Sequence, residues 1–171
     1  MSPPVRRLGP PALAAALAAA LVAGPAAGAP RIVPGQRIGP VAIGAERSPV
    51  EAAIGPGVVI ARTPSGRAPR NRNLDRVRVA YPAWGVVATF ATDEASAVVR
   101  AVSTRSPRYR TRDGLGVGST RAAVRAAHPR ARCSASACRI GPGAPGAVTT
   151  RLVLVAGRVA RVELVRPPSR P

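Results

Sequence analysis

Arg112-Asp113-Gly114-Leu115-Gly116-Val117-Gly118-Ser119-Thr120-Arg121-Ala122-Ala123-Val124-Arg125-Ala126-Ala127-His128-Pro129 is the stretch from which the fold is read. It predicts a short strand, a glycine turn, a cap at Ser119 or Thr120, and a short helix that Pro129 stops. A degenerate copy runs from Gly39 through Val41, Ile43, Gly44, Ser48 and Val50 to Gly55. At an offset of 74 residues, Val41 falls on Leu115, Ile43 on Val117, Gly44 on Gly118, Val50 on Val124 and Ala53 on Ala127. The expected class is therefore α+β: two tandem units, each a short helix packed on an antiparallel β-meander. The units are residues 30–110 and 111–166, preceded by a signal peptide over 1–29 and followed by a disordered tail over 167–171.

Working outward, Ile38 to Ile43 alternates and predicts a first short strand. Ser48-Pro49-Val50-Glu51 has the form of a capping box with proline in the first helical turn. Gly55-Pro56-Gly57 is a strong stop, and the β-branched run Val58-Val59-Ile60-Ala61 predicts a strand after it. Residues 62–75 are basic, polar and rich in turn formers, the longest loop expected after the signal segment. Alternating runs over 76–81, 84–92 and 98–103, with a turn at 93–96, indicate a meander. Ser106 to Arg112 is a basic connector. Beyond the second helix come Cys133 and Cys138, a Gly/Pro loop over 141–146, and a last hairpin of 148–155 and 158–165 turning at Ala156-Gly157.

Arg6 and Arg7 ahead of the apolar run Leu8 to Val22, with small residues at Ala26-Ala27-Gly28-Ala29, have the order of an export signal cut near Gly28 or Ala29. The run is interrupted by prolines and is shorter than the roughly 20 residues a membrane span needs. No later segment is long and apolar enough for a span. The remainder, about 142 residues, suits one ordinary domain located outside the cytoplasm.

All 26 basic residues are arginine, against 7 acids, so the formal net charge is +19. Loss of Arg6 and Arg7 with the signal leaves +17. Such a field attracts polyanions or simply keeps the surface solvated, since net charge speaks to association rather than to fold. The candidate polyanion-binding residues are Arg67, Arg70, Arg72 and Arg76 of the long loop and Arg105, Arg108, Arg110 and Arg112 of the connector. Arginine fits because its planar fork binds phosphate and carboxylate bidentately. Tyr109 is the only aromatic among them. Base-stacking platforms need several aromatics, so sequence-specific nucleic-acid recognition is not expected.

Catalytic chemistry finds little to work with. His128 is the only imidazole, and at the end of a helix beside Pro129 it fits a dipole or capping role. A nucleophile would need a base and an orienting third group near it. Asp93 and Glu94 lie in a predicted turn, and Asp113 precedes Gly114, both positions that favour Asp for geometric reasons. The glycines at 114, 116 and 118 lack the spacing of a nucleotide fingerprint. Cys133 and Cys138 with one histidine are too few for a metal, and in an exported chain the pair points to a disulfide. No catalytic residue, metal or cofactor is expected.

The motifs Ile43-Gly44 through Val50 and Val117-Gly118-Ser119-Thr120 through Val124, each ahead of a meander, resemble two families. One is the β-lactamase-inhibitor protein fold; the other is the small envelope lipoprotein domain typified by outer-membrane assembly factor E. The resemblance implies tandem αβ units over most of 36–166, and the inhibitor family places a cysteine pair after a helix as Cys133 and Cys138 stand here. Two functions are thus expected. The first is a secreted, monomeric, non-catalytic binding module whose partner is an anionic cell-wall polymer or an envelope protein. The second is a secreted enzyme inhibitor of the β-lactamase-inhibitor type.

Overall fold

Alternation of branched apolar residues with arginines and small polar residues sets most of the backbone into strands, because side chains two apart share a face. The computed structural model describes residues 31–63, 75–92, 97–142, 144 and 146–167. In chain order the elements are β1 (Ile32–Val33), β2 (Arg37–Ile38), β3 (Val41–Ala42), α1 (Arg47–Ile54), β4 (Val58–Thr63) and β5 (Asp75–Tyr81). A 3-10 turn over Pro82–Trp84 leads to β6 (Val86–Thr92), β7 (Ala97–Thr104) and α2 (Arg121–Ala127). The chain closes with β8 (Arg132–Cys133), β9 (Ala137–Ile140), β10 (Thr149–Val155) and β11 (Arg158–Val165).

These strands do not build two separate helix-on-meander units, which corrects the expected fold class. They form one eight-stranded antiparallel sheet in the order β4-β5-β6-β7-β11-β10-β9-β8, and a second sheet of three short strands, β1-β2-β3. The join is β7 against β11, with Val162, Glu163, Leu164 and Val165 opposite Thr104, Ser103, Val102 and Ala101. An isolated meander would leave the N–H and C=O groups of its last strand unpaired; here the two last strands satisfy each other. The two short helices and the small sheet are attachments to one large sheet.

The segment Ile38 to Ile43 is likewise not a single strand. Gly39 has φ 56°, and the chain reverses there so that β2 and β3 pair with one another. The capping box at Ser48 is also absent. α1 begins earlier, with Glu46 as N-cap and no side-chain cap bond, and Glu51 pairs instead with Arg47 one turn back at 2.8 Å. The strand expected from Trp84 starts at Val86, since Pro82 nucleates a 3-10 turn that Gly85 ends in the left-handed region. α2 does start at Thr120, whose hydroxyl accepts from the Ala123 amide at 3.1 Å.

The two stretches aligned at the outset dock on the sheet in matching ways. The Gly44 amide donates to the Val99 carbonyl while the Val99 amide donates to Ala45; the Gly118 amide donates to Val159 while the Val159 amide donates to Ser119. Both glycines have positive φ, 87° and 92°, a conformation open to glycine at no steric cost.

One face of the large sheet carries the core. Val77, Val79, Tyr81, Val86, Ala88, Phe90, Val99, Val102, Val162, Leu164, Leu152 and Cys138 are buried on it beneath Ile32, Ile38, Val41, Val50, Tyr109, Leu115 and Val124 from the covering segments. The buried hydroxyls are satisfied: Thr150 accepts from the Gly35 amide at 2.8 Å, Thr104 donates to the Gly85 carbonyl, and Thr111 accepts from the Leu115 amide. Among the described residues no helix is long and apolar enough to cross a membrane. The expected signal segment 1–29, nearly all of the long loop, the turn with Asp93 and Glu94, and the tail after Pro167 lie outside the described residues.

Candidate functional site

The opposite face of the sheet is where charge collects. Cross-strand partners share a face, so the register lets that face be followed strand by strand. One row runs Val58, Ala80, Val87, Ser103, Glu163, Arg151, Arg139, Arg132, one residue from each of the eight strands in sheet order. It is apolar at the β4 end and cationic at the β8 end. Arg76 and Arg78, exposed between buried Val77 and Val79, share this face on β5, and Arg161 shares it on β11. Among the described residues of the face, Glu163 is the only acid.

Glu163 is held between two of these arginines. Its Oε1 lies 2.7 Å from Arg161 Nη2, and its Oε2 lies 3.6 Å from Arg151 Nη1. Both are ion pairs, the first in close contact and the second beyond hydrogen-bond length. Arg161 Nε is buried without a partner, so the guanidinium is anchored through one side of its fork.

At the β8 end, Cys133 and Cys138 are bonded and also sit directly opposite one another in the hairpin. The intervening turn is closed by Ser134, whose amide donates to the Ala137 carbonyl and whose hydroxyl accepts from the Ala137 amide. This pins the register that sets Arg132 against Arg139. An open depression at this corner is lined by Arg132, Ser134, Ser136, Arg139 and Arg151.

The arginines singled out from the sequence are dispersed. Arg76 belongs to the open face. Arg105 and Arg112 are exposed. Arg108 donates to the Ala83 carbonyl and the Tyr109 hydroxyl and lies 5.1 Å over the Tyr109 ring, so its fork is engaged within the protein. Arg110 donates to the carbonyls of Pro107 and Gly114 and to the Ser119 hydroxyl, bracing the turn ahead of α2. Arg67, Arg70 and Arg72 lie outside the described residues. Sequence reasoning passed over Arg78, Arg132, Arg139, Arg151 and Arg161. A disulfide between directly opposed cysteines makes their outer neighbours, Arg132 and Arg139, opposite too, but the pairing of β9 with β10 that adds Arg151 has no local signature.

His128 caps the C-terminus of α2, with Nε2 buried, 3.8 Å from Asp113 Oδ2 and without a hydrogen bond. Neither cysteine is a free thiol. The Tyr81 phenol is pushed above its ordinary range, first by burial and then by the Glu51 carboxylate, with Arg47 opposing. Its hydroxyl faces the core side without a partner. All four aromatic residues, Tyr81, Trp84, Phe90 and Tyr109, are packed in or against the core, so the open face has none. Compared with known proteins, the chain matches no family model, no curated protein and no solved structure.

Proposed function

We propose that this protein is a non-catalytic binding module of the cell envelope that associates with anionic polymers through the open face of its sheet. The observation that carries the reading is the register itself, which gathers Arg76, Arg78, Arg132, Arg139, Arg151 and Arg161 on one surface left uncovered among the described residues, with Glu163 the only described acid among them. Guanidinium forks on adjacent strands present pairs of N–H donors to phosphate or carboxylate groups. Export by the amino-terminal signal puts such a face where anionic wall polymers are found, and the net charge of +17 after signal removal brings them to it. Without aromatic platforms the face attracts by charge and fork geometry, with little selectivity for bases.

A secreted inhibitor of the β-lactamase-inhibitor type is the second reading, favoured by the broad uncovered sheet. Its weakness is physical: protein interfaces draw much of their affinity from aromatic anchors, and here every aromatic is committed to the core.

Retention of the purified protein on an immobilised poly(glycerol phosphate) and on DNA, measured across a salt series, tests the polymer reading. Binding should weaken linearly on a log–log plot by roughly one unit of slope per phosphate neutralised, and duplex sequence should make no difference. Passage through both supports at low salt would remove this function.

A further inference from the structure

We infer that Arg132, Arg139 and Arg151 form a phosphodiester-binding site at the β8–β9 corner of the sheet, a specific seat for the polymer backbone within the reading above, on which it rests. Three observations converge. The residues stand in direct cross-strand register, Arg132 opposite Arg139 and Arg139 opposite Arg151. Like charges directly opposite on neighbouring strands repel, so this ladder is unfavourable unless an anion lies across it. Compensation within the protein is partial: Arg151 has Glu163 at 3.6 Å, whereas among the described residues the guanidinium groups of Arg132 and Arg139 have neither a hydrogen-bond nor an ion-pair partner.

The corner is also rigid where a surface loop would not be. The Cys133–Cys138 bond lies between the two arginines and the turn, so the hairpin cannot slip by a residue and turn Arg132 to the other face. All three arginines line one open depression, together with Ser134 and Ser136 of the turn. Neighbouring strands lie about 4.8 Å apart, so the ladder spans roughly 10 Å, long enough for more than one group along a polymer and too long for a single carboxylate to fill. A phosphodiester backbone suits the ladder because each of its repeats carries one anionic phosphate that accepts a guanidinium fork, and a polycarboxylate, which the fork also accepts, is the comparator that the test separates from it.

The test compares the whole protein with two double variants of equal charge, Arg132→Gln with Arg139→Gln and Arg76→Gln with Arg78→Gln. Binding to a fluorescent poly(glycerol phosphate) oligomer is followed against salt, with poly(glutamic acid) as the carboxylate comparator. Intact mass and near-ultraviolet circular dichroism confirm the disulfide and the fold of each. Loss of two phosphate contacts should lower the slope of log affinity against log salt by about 1.4 for the β8–β9 pair, and by much less for the β5 pair. Preference for the phosphate polymer should disappear in the β8–β9 variant alone. Equal losses from both pairs would mean a diffuse field, overturning the site while leaving polyanion binding in place. Equal affinity of the native protein for both polymers would overturn the phosphodiester assignment. No binding of the native protein to either at low salt would remove the underlying function and the site with it.

Discussion

Replacing Glu163 with Gln should push stability and polymer binding in opposite directions. The carboxylate pairs with Arg161 at 2.7 Å and with Arg151 at 3.6 Å, and its own side chain is 16% exposed. An exposed ion pair contributes about 0.2–1 kcal/mol, and a sheltered one more. Arg161 is one-third exposed and Gln keeps a neutral acceptor, so screening and partial replacement reduce the loss here to about 1 kcal/mol. The more exposed Arg151 contact contributes only a few tenths of a kcal/mol. For a domain of this size the midpoint of thermal unfolding should fall by roughly 3–4 °C. The same substitution removes the only described acid from the open face and releases two guanidinium groups toward it. The slope of log affinity against log salt on poly(glycerol phosphate) should steepen by about 0.7–1.4, one or two further phosphates neutralised. Calorimetry and salt-dependent anisotropy on the same preparation make the measurement. A variant that loses stability yet binds no better, or binds worse, would show that Glu163 does not restrain a binding face.

Three further outcomes follow from the geometry. Reducing Cys133–Cys138 closes no large loop, so the chain-entropy model gives a loss of at most about 2 kcal/mol; the mass should rise by two hydrogens and the salt slope should become shallower as Arg132 leaves register. Thr120→Ala removes the cap bond to the Ala123 amide and should lower the denaturant midpoint by about 1 kcal/mol equivalent with an unchanged m-value. Tyr81 is held protonated in the fold by burial and by Glu51, so the folded state binds more protons than the unfolded state just above pH 10. Stability contributed by this phenol is complete below that pH and declines as pH rises through the window, and a spectrophotometric titration should show the Tyr81 phenol ionising above its ordinary range.

How much of the candidate site could be read from the chain differs from residue to residue. The disulfide at Cys133 and Cys138 was legible because only two cysteines exist, separated by a few small residues. Arg108 and Arg110 looked free on the sequence alone, yet their forks close on the carbonyls of Ala83, Pro107 and Gly114. An arginine's partners are contributed by backbone that folds near it, and composition carries no trace of them.

Sequence by itself determined what local forces determine. The short helix ending before Pro129 with a cap at Ser119 or Thr120, the strand phase of 76–81, and the turn at Ala156-Gly157 all rest on side-chain period, proline and glycine. Only the tertiary structure decided that β7 pairs with β11 and makes one sheet of eight strands, because either edge could have stopped there as far as local propensity is concerned. In β11 the alternation of Arg161 and Glu163 with Val162 and Leu164 is legible in the sequence, but only the structure put Val159 in the core beside Val162 and Leu164, through a register irregularity opposite Val153 and Leu154. Pairing between strands far apart in the chain is settled by the summed burial of one face and the satisfaction of unpaired backbone, quantities that exist only once the sheet is assembled.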